Sequence, residues 1–437
     1  MYSTLVTEEM QLVEKHIINK SHPDWAECDQ ICQHANTIRN QTLYVQRQSW
    51  FYGHGVIKFG KTLLHRNIDA LMKSYPCYHA LPAFLAQQVV KSLNAEWTGF
   101  FNALKECIVN LSQFTGRPKP PNYKPRTGRY KVEYPNTRAS KNAKKQGIIH
   151  LYSSNIQIKT NHALNYDCVR IVPATGCYTI EVVYTVEDTP FLDSSFVAAI
   201  DLGVNVLGAV TTNKLGFQPI LINGRPIKSI NNRYNKTISQ LRSINKKLHG
   251  IDWSVRMELL TRRRNHKIDS YLHRSSSLII KTLVREGIGT LVIGLNPDWK
   301  RALHMGRVNN QKFVQIPHRK FVDMLIYKGA INGIKVYTRE ESYTSKASFI
   351  DLDTIPDYGN KPENWKPSGK RIKRGLYKSK SGLINADVNG SYNILRKEFP
   401  HAFSQGIKGC VVQPRLVNIP GFTPKPAICR ICCPVSY

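Results

Sequence analysis

Ser195-Phe196-Val197-Ala198-Ala199-Ile200-Asp201-Leu202-Gly203-Val204-Asn205-Val206-Leu207-Gly208-Ala209-Val210-Thr211-Thr212 is the stretch that decides the fold class. The apolar run from Phe196 to Ile200 has the length of a buried strand, and it ends in a carboxylate, Asp201. A tight turn follows, and Val206 to Thr212 makes a second strand. A carboxylate at a strand end opens into the cleft at the sheet edge. The same residue also suits an ordinary strand-ending turn, so Asp201 alone leaves both readings open.

Downstream, a long basic helical stretch spans about 226–286 and includes Lys246-Lys247 and Arg262-Arg263-Arg264. A buried strand, Thr290-Leu291-Val292-Ile293-Gly294, comes next, then a helix near 317–331, then the strand Ile334-Lys335-Val336-Tyr337-Thr338 leading to Glu340-Glu341. Strands followed by crossover helices predict a mixed α/β sheet for residues 193–400. Asp387 lies in Ile384-Asn385-Ala386-Asp387-Val388-Asn389-Gly390. Asn385 is a plausible helix N-cap, which puts Asp387 in the first turn, where its charge also complements the helix dipole. Two such carboxylates in a strongly basic α/β unit suit two-metal phosphodiester chemistry. Magnesium prefers carboxylate oxygens, and two ions about 4 Å apart activate the attacking water and stabilise the leaving oxygen. A third carboxylate is the usual minimum.

Upstream, residues 1–115 read as helical, with apolar residues at helical spacing from Leu81 to Val90 and through Trp97, Phe100, Phe101 and Leu104. The segment Gly116-Arg117-Pro118-Lys119-Pro120-Pro121-Asn122-Tyr123-Lys124-Pro125-Arg126 breaks that pattern. Its prolines and cations suit an extended backbone laid along phosphates, or an ordinary linker. Short strands such as Tyr178-Thr179-Ile180-Glu181-Val182-Val183-Tyr184 predict a small barrel or sheet over 116–192. Residues 401–437 form a tail.

Charge is the strongest global signal: 62 lysines and arginines stand against 30 acids in 437 residues, a net charge of +32. A compact chain so basic repels itself unless a polyanion neutralises it. Aromatic residues, 10% of the chain, offer faces on which bases stack. A membrane surface is the other polyanion, but no apolar stretch reaches the roughly 20 residues that span a bilayer. With no signal-peptide core, the ten cysteines are expected to be reduced cytosolic thiols. Cys429, Cys432 and Cys433 supply one C-x-x-C pair, half of a four-ligand zinc site, and read as tail thiols.

Ile200-Asp201-Leu202-Gly203 with Asn205 resembles the first RuvC motif of the TnpB family, transposon-encoded relatives of type V CRISPR effectors. Asn385-Ala386-Asp387-Val388-Asn389-Gly390 resembles the third motif, and Tyr343-Thr344-Ser345-Lys346 the signature that precedes the family's zinc ribbon. Pro82, Gln87-Gln88 and Gly116-Arg117-Pro118-Lys119 match the family's front half. The likeness covers about residues 25–397. It implies an α+β, multidomain chain: a helical recognition lobe, a wedge-like β-barrel and an RNase H-like (RuvC) nuclease domain with a basic insert at about 345–383. It also implies an RNA-guided DNA endonuclease with two Mg2+ ions, partnered by a guide RNA and double-stranded target DNA, monomeric with one RNA or dimeric. Expected nucleic-acid contacts are Arg117, Lys119, Tyr123, Lys124, Arg126, Arg262, Arg263, Arg264, Lys370, Arg371 and Arg374.

Two departures bear on the chemistry. The family ends the strand at 290–294 with the second-motif glutamate, where this chain has Gly294. Glu341, at the end of the next strand, is the expected substitute and third metal ligand. Strand alternation turns Glu340 away, and Asp298 is a weaker substitute on a loop. Second, no cysteine occurs from 344 to 387, so no zinc ribbon is expected, and the lysine- and arginine-rich insert reads as a backbone-holding loop. His273 reads as structural or phosphate-facing. A nuclease-dead, RNA-guided repressor, consistent with Gly294, and an unguided resolvase-like nuclease are the competing readings.

Overall fold

A computed structural model describes residues 10–52, 65–111, 114–136, 141–186, 189–296, 315–373, 375–404 and 406–422. Asp298, Arg374 and the tail cysteines Cys429, Cys432 and Cys433 lie outside the described residues. The chain divides into two compact units, one of Gln11–Val186 and one from Glu187 onward.

The front unit carries β1 (Met10–Asn19), α1 (Trp25–Tyr52), α2 (His65–Met72), α3 (Ala83–Val109), β2 (Val132–Pro135), α4 (Lys141–Lys145), β3 (Ile148–His150), β4 (Gln157–Lys159), β5 (Tyr166–Ala174) and β6 (Cys177–Val186). Helix was expected throughout the first 115 residues. β1 departs from this, its exposure alternating residue by residue as an edge strand requires. A four-stranded sheet runs in the order β1-β6-β5-β2, and β3 pairs with β4. Among the described residues these sheets do not close into the expected barrel. The apolar face that a barrel would turn inward is covered instead by helices: Ile38 of α1 and Leu85 and Val89 of α3 share one core with Val169, Ile171, Ile180 and Val182.

The Pro-rich segment is held along α1. Side-chain amides of Asn36 and Asn40 donate to the Pro125 and Lys124 carbonyls, each at 2.9 Å, and Arg39 donates to that of Asn122 at 3.0 Å. Proline removes main-chain donors but keeps its carbonyl, so an extended Pro-rich backbone presents acceptors that a polar helix face can satisfy.

The second unit carries β7 (Val197–Leu202), β8 (Val206–Thr212), β9 (Ile220–Asn223), α5 (Arg225–His249), α6 (Val255–Arg285), β10 (Thr290–Gly294), α7 (His318–Ile331), β11 (Lys335–Arg339), β12 (Lys370–Lys373), β13 (Leu376–Lys378), β14 (Leu383–Asn385), α8 (Ala386–Glu398) and β15 (Arg415–Val417). The long basic helical stretch is two helices, because Gly250 takes a left-handed conformation (φ 65°) and stops α5. Six strands run in the order β11-β10-β7-β8-β9-β15. β11, β10 and β7 are parallel, and β7, β8 and β9 are antiparallel.

Alternation along β7 sorts its side chains between two cores. Ile200 and Leu202 join Phe321, Leu325 and Ile279 on one face, and Ala199 joins Tyr392 and Ile394 of α8 on the other. Asp201 therefore faces α8. No helix among the described residues is long and apolar enough to cross a membrane.

Candidate active site

Three parallel strands end side by side. Ile200 pairs with Ile293, and Gly294 pairs with Arg339, so the residues just beyond β7, β10 and β11 meet at one edge. Asp201 stands at the end of β7 and Glu341 two residues past β11. Asp387 lies in the first turn of α8, which Asn385 caps by accepting the Asp387 and Val388 N–H groups at 3.0 and 3.2 Å. All three carboxylates are half-buried.

Two glycines make room for them. A Cβ on Gly390 would stand 2.5 Å from Oδ2 of Asp201, so α8 can lie this close only without a side chain there. At Gly294, where the family's glutamate was expected, a Cβ would stand 3.0 Å from Oε2 of Glu341. The carboxylate of Glu341 thus occupies the space above the end of β10. Asn296 holds it from two sides, donating Nδ2–H to Oε1 and accepting the Glu341 N–H, each at 3.2 Å.

Glu340 goes elsewhere. It accepts from Lys397 of α8 at 2.7 Å and from the Ser342 N–H at 2.6 Å. Burial would raise its carboxyl, but these donors hold it below the ordinary value. Lys397 is 3% exposed, so this pair is an internal fastening of the 340–342 turn.

Loop 343–349 is hung from α8 by two fully buried asparagines one helical turn apart. Asn389 donates to the Ala347 carbonyl at 2.8 Å and accepts the Phe349 N–H at 2.9 Å. Asn393 donates to the Thr344 and Ala347 carbonyls at 2.9 and 2.8 Å. The Thr344 hydroxyl in turn donates to the Glu341 carbonyl at 2.8 Å. Tyr343 adopts a left-handed backbone conformation (φ 67°), unusual for a residue with a side chain.

Electrostatics tie the acids together. Burial, then the charges of Glu341 and Asp387, raises the Asp201 carboxyl well above its ordinary range, against the pull of Arg371. Burial and the adjacent Glu340 charge push Glu341 up to about 7, with Lys397 opposing. Arg371 of β12 reaches Asp387 at 3.6 Å. Among the described residues no three His, Cys, Asp or Glu side chains stand close enough to share one ion. Asp201 feels the charges of both Glu341 and Asp387. Carboxylate oxygens are the donors a hard divalent cation prefers, so by donor type the three side chains suit magnesium.

In the basic insert, two aspartates tie together segments far apart in sequence. Asp351 accepts from the Ser368 hydroxyl at 2.6 Å and from the Lys380 and Ser381 N–H groups at 2.9 and 3.1 Å. Asp353 accepts the Ser348 and Ser368 N–H groups at 2.8 and 2.9 Å.

Lys370 and Arg371 are exposed on β12, and Arg117, Lys119, Tyr123, Lys124 and Arg126 are exposed in the front unit. Arg263 is exposed and Arg262 partly so. Arg264 is engaged internally, donating to Asn231 at 2.8 Å and to the Gln315 carbonyl at 2.9 Å. Phosphate contact by Arg264 would require breaking those bonds. His273 packs beside Tyr327, its Nδ1 at 3.4 Å from the phenol oxygen. Asn296, Asn389, Asn393 and Lys397 were not anticipated from the sequence, although Asn389 and Asn393, polar residues four apart on a helix, carried a signal.

Two family profiles match this unit. OrfB_IS605, described as "Probable transposase", matches residues 180–300 and takes in Asp201 and Gly294. The Cas12f1-like TNB domain matches 318–394, taking in Glu341 and Asp387. The chain is related to TnpB. Its likeness to TnpB and the Cas12f1-like proteins thus spans the whole candidate site, including the insert that lacks the ribbon cysteines. Solved structures that resemble the chain include a Cas12f1 complex with single-guide RNA and target DNA, 16% identical, covering 89% of this chain and all of that one, TM-score 0.35. The mini-RNA-guided endonuclease Cas_phi3 is 10% identical over 89% of this chain and 92% of its own, TM-score 0.40. C2c1 of Alicyclobacillus acidoterrestris with single-guide RNA is 9% identical over 85% and 69%, TM-score 0.33. No match is found among curated proteins.

Proposed function

We propose that this TnpB relative is an RNA-guided DNA endonuclease whose RuvC-like site consists of Asp201, Glu341 and Asp387. The observation that carries the reading is the Glu341 carboxylate standing over Gly294, which restores a third acid where the strand lacks its glutamate. Gly294 is consistent with the repressor reading, and the Glu341 carboxylate beside it is what supports the nuclease reading instead. Guide RNA and target DNA, the partners named for the Cas12f1 complex, are proposed here too, since a net charge of +32 demands a polyanion. Base pairing would read the target, and the protein would read backbone shape and a short flanking motif.

Asp201, Glu341 and Asp387 would hold magnesium, which supplies water activation and charge stabilisation when bound. The chain's own residues do the positioning. Asn296 aims Glu341, Gly390 lets Asp201 lie against α8, and Asn389 and Asn393 fix the loop after Glu341. Arg371, beside Asp387, is placed to meet a phosphate approaching the same cleft.

The test is direct. RNA that co-purifies with the chain is sequenced, and a DNA duplex matching its variable end is offered with a randomised flank, with magnesium or with EDTA. One enriched RNA and magnesium-dependent cleavage beside a defined flank are expected. Heterogeneous RNA, or no cleavage of any flanked target, sinks the proposal.

A further inference from the structure

The turn that leads from Glu341 into the loop at 343–349 carries a tyrosine where a glycine would fit without strain. The Thr344 N–H donates to the Glu341 carbonyl at 3.2 Å, which closes a four-residue turn over 341–344. Tyr343 is its third residue and takes φ 67°, whereas Ser342 has no positive φ. That is the pattern of a type II turn, whose third position favours glycine because a Cβ there crowds the backbone. The chain keeps a side chain at this point against local strain. Strain retained beside a site is a pointer to what the side chain does there.

The Tyr343 ring meets Trp365 of the basic insert edge-on, with centroids 5.5 Å apart and planes at 65°. Both residues are half-buried, so each leaves part of its ring to solvent. Trp365 is fixed in place: its indole N–H donates to the Thr354 carbonyl at 2.8 Å, and its main-chain N–H to the Pro362 carbonyl at 3.0 Å. Cations flank the pair. Lys346 Nζ stands 5.9 Å from the centre of the Tyr343 ring, and Lys346 and Lys366 are both exposed. Tyr343 lies two residues past Glu341, so their Cα atoms are at most about 7 Å apart. The same insert borders the cleft again at Arg371, 3.6 Å from Asp387. Half-exposed rings with ammonium groups beside them make a stacking site, since every base has a face to lay on a ring and a phosphate for a cation to meet.

We propose that Tyr343 and Trp365 hold one base of the strand being cut, and so set which phosphodiester lies over Glu341. The identity of that strand rests on the proposed function. The stacking site itself rests on the strained turn and the two rings. A stacked base carries its own phosphate at a fixed offset, so the pair would favour one cut position without reading which base it holds.

The test uses the full chain with its co-purified RNA, in EDTA, and a short thymine-rich single-stranded DNA carrying iodouracil, which crosslinks under ultraviolet light to an aromatic ring it lies on. Crosslinked peptides are mapped by mass spectrometry. Adducts should concentrate at Tyr343 and Trp365, and adducts confined to other aromatic residues overturn the stacking site. Tyr343→Gly should melt close to wild type, because release of the strained φ offsets the packing lost, and should reduce the Trp365 adduct on the order of tenfold. Tyr343→Phe should keep the adduct. Trp365→Leu, which leaves the turn untouched, should reduce the Tyr343 adduct to a similar extent. Tyr343→Gly that melts well below wild type with its Trp365 adduct unchanged makes the tyrosine a packing residue and overturns its role. Stronger crosslinking of the same sequence as RNA, at the same two rings, overturns the assignment to DNA. In magnesium, on a matched target, Tyr343→Gly should spread cutting over neighbouring phosphodiesters while target affinity holds, and a cut pattern as narrow as that of wild type overturns the positioning. Because crosslinking reads contact without cleavage, a wild type that crosslinks as expected but never cuts counts against the proposed function alone.

Discussion

The Oε2 atom of Glu341 lies 3.0 Å from where a Cβ of Gly294 would be, and Ile394 Cδ1 lies 2.4 Å from the same point. One strand end has given up its side chain, and the carboxylate of the neighbouring strand's extension fills the space. Gly294→Ala should therefore push Glu341 aside or strain Ile394, at about 1–3 kcal/mol for an overpacked position. Thermal melting should show the loss of stability, and cleavage should need more magnesium than in wild type. A variant indistinguishable from wild type in both would mean that Glu341 does not need this space.

Asp201→Ala, Glu341→Ala and Asp387→Ala should each abolish magnesium-dependent cleavage while target binding stays within about twofold, since each removes charge stabilisation worth several kcal/mol of barrier. Glu340→Ala should behave differently. It removes the nearest partner of the buried Lys397, so it should cost on the order of 2 kcal/mol of stability. Cleavage per folded molecule should survive. If Glu340→Ala is the dead variant and Glu341→Ala cuts normally, the two roles are reversed.

Asn296 touches Glu341 on both its main chain and its carboxylate. Asn296→Ala should leave the fold and target binding intact and raise the magnesium concentration for half-maximal cleavage by roughly 10- to 100-fold, the usual cost of releasing a ligand's orienting partner. A magnesium titration of the cleavage rate decides this. A lower rate at saturating magnesium with an unchanged midpoint would contradict it.

Metal-free stability should depend on pH through Glu341. Its carboxyl sits near 7 in the folded chain, raised by burial and by Glu340, against roughly 4.3 unfolded. A carboxyl raised on folding contributes stability that is full below the unfolded value and is lost as pH rises through the folded one. In EDTA, wild type should fall behind Glu341→Gln in melting temperature between about pH 5 and about pH 8. Magnesium should restore wild type at the upper pH and leave the variant unmoved.

Asp351 has the opposite sign. Burial would raise its carboxyl, but hydrogen bonds from Ser368, Ser381, Lys380 and Ser348 hold it well below the carboxylate range. Its contribution is present above the unfolded value and is lost as pH falls. Asp351→Asn should cost on the order of 1–3 kcal/mol near neutral pH, and the gap from wild type should close as pH drops below about 4. Protease susceptibility of the 345–383 insert, followed across pH, would report this locally.

In the second unit β7, β8 and β10 were legible in the sequence because they are apolar runs buried on both faces, and the helices because they are long, whereas β9 and the short or exposed strands β12 to β15 were not read. The ends of β10 and α7 and the Asn385 cap follow from that pattern alone. Asp201 and Asp387 could be named for the same reason, since each terminates or begins such an element. Front-unit closure could not be read, because whether strands curl into a barrel or flatten under helices depends on what covers their apolar face, and here α1 and α3 cover it. Nor did strand pairing show on the page: only the parallel register of Gly294 with Arg339 puts the Glu341 extension above a vacant strand end. The partners of Asn296, Asn389 and Asn393 could not be read for a related reason. An asparagine's hydrogen bonds are chosen by whichever backbone lies within about 3 Å, and that backbone, distant in the chain, is brought there by the sheet and by α8. Residue type and local period are properties of the chain. The coincidence of three acids, a glycine and an asparagine at one sheet edge is a property of the fold.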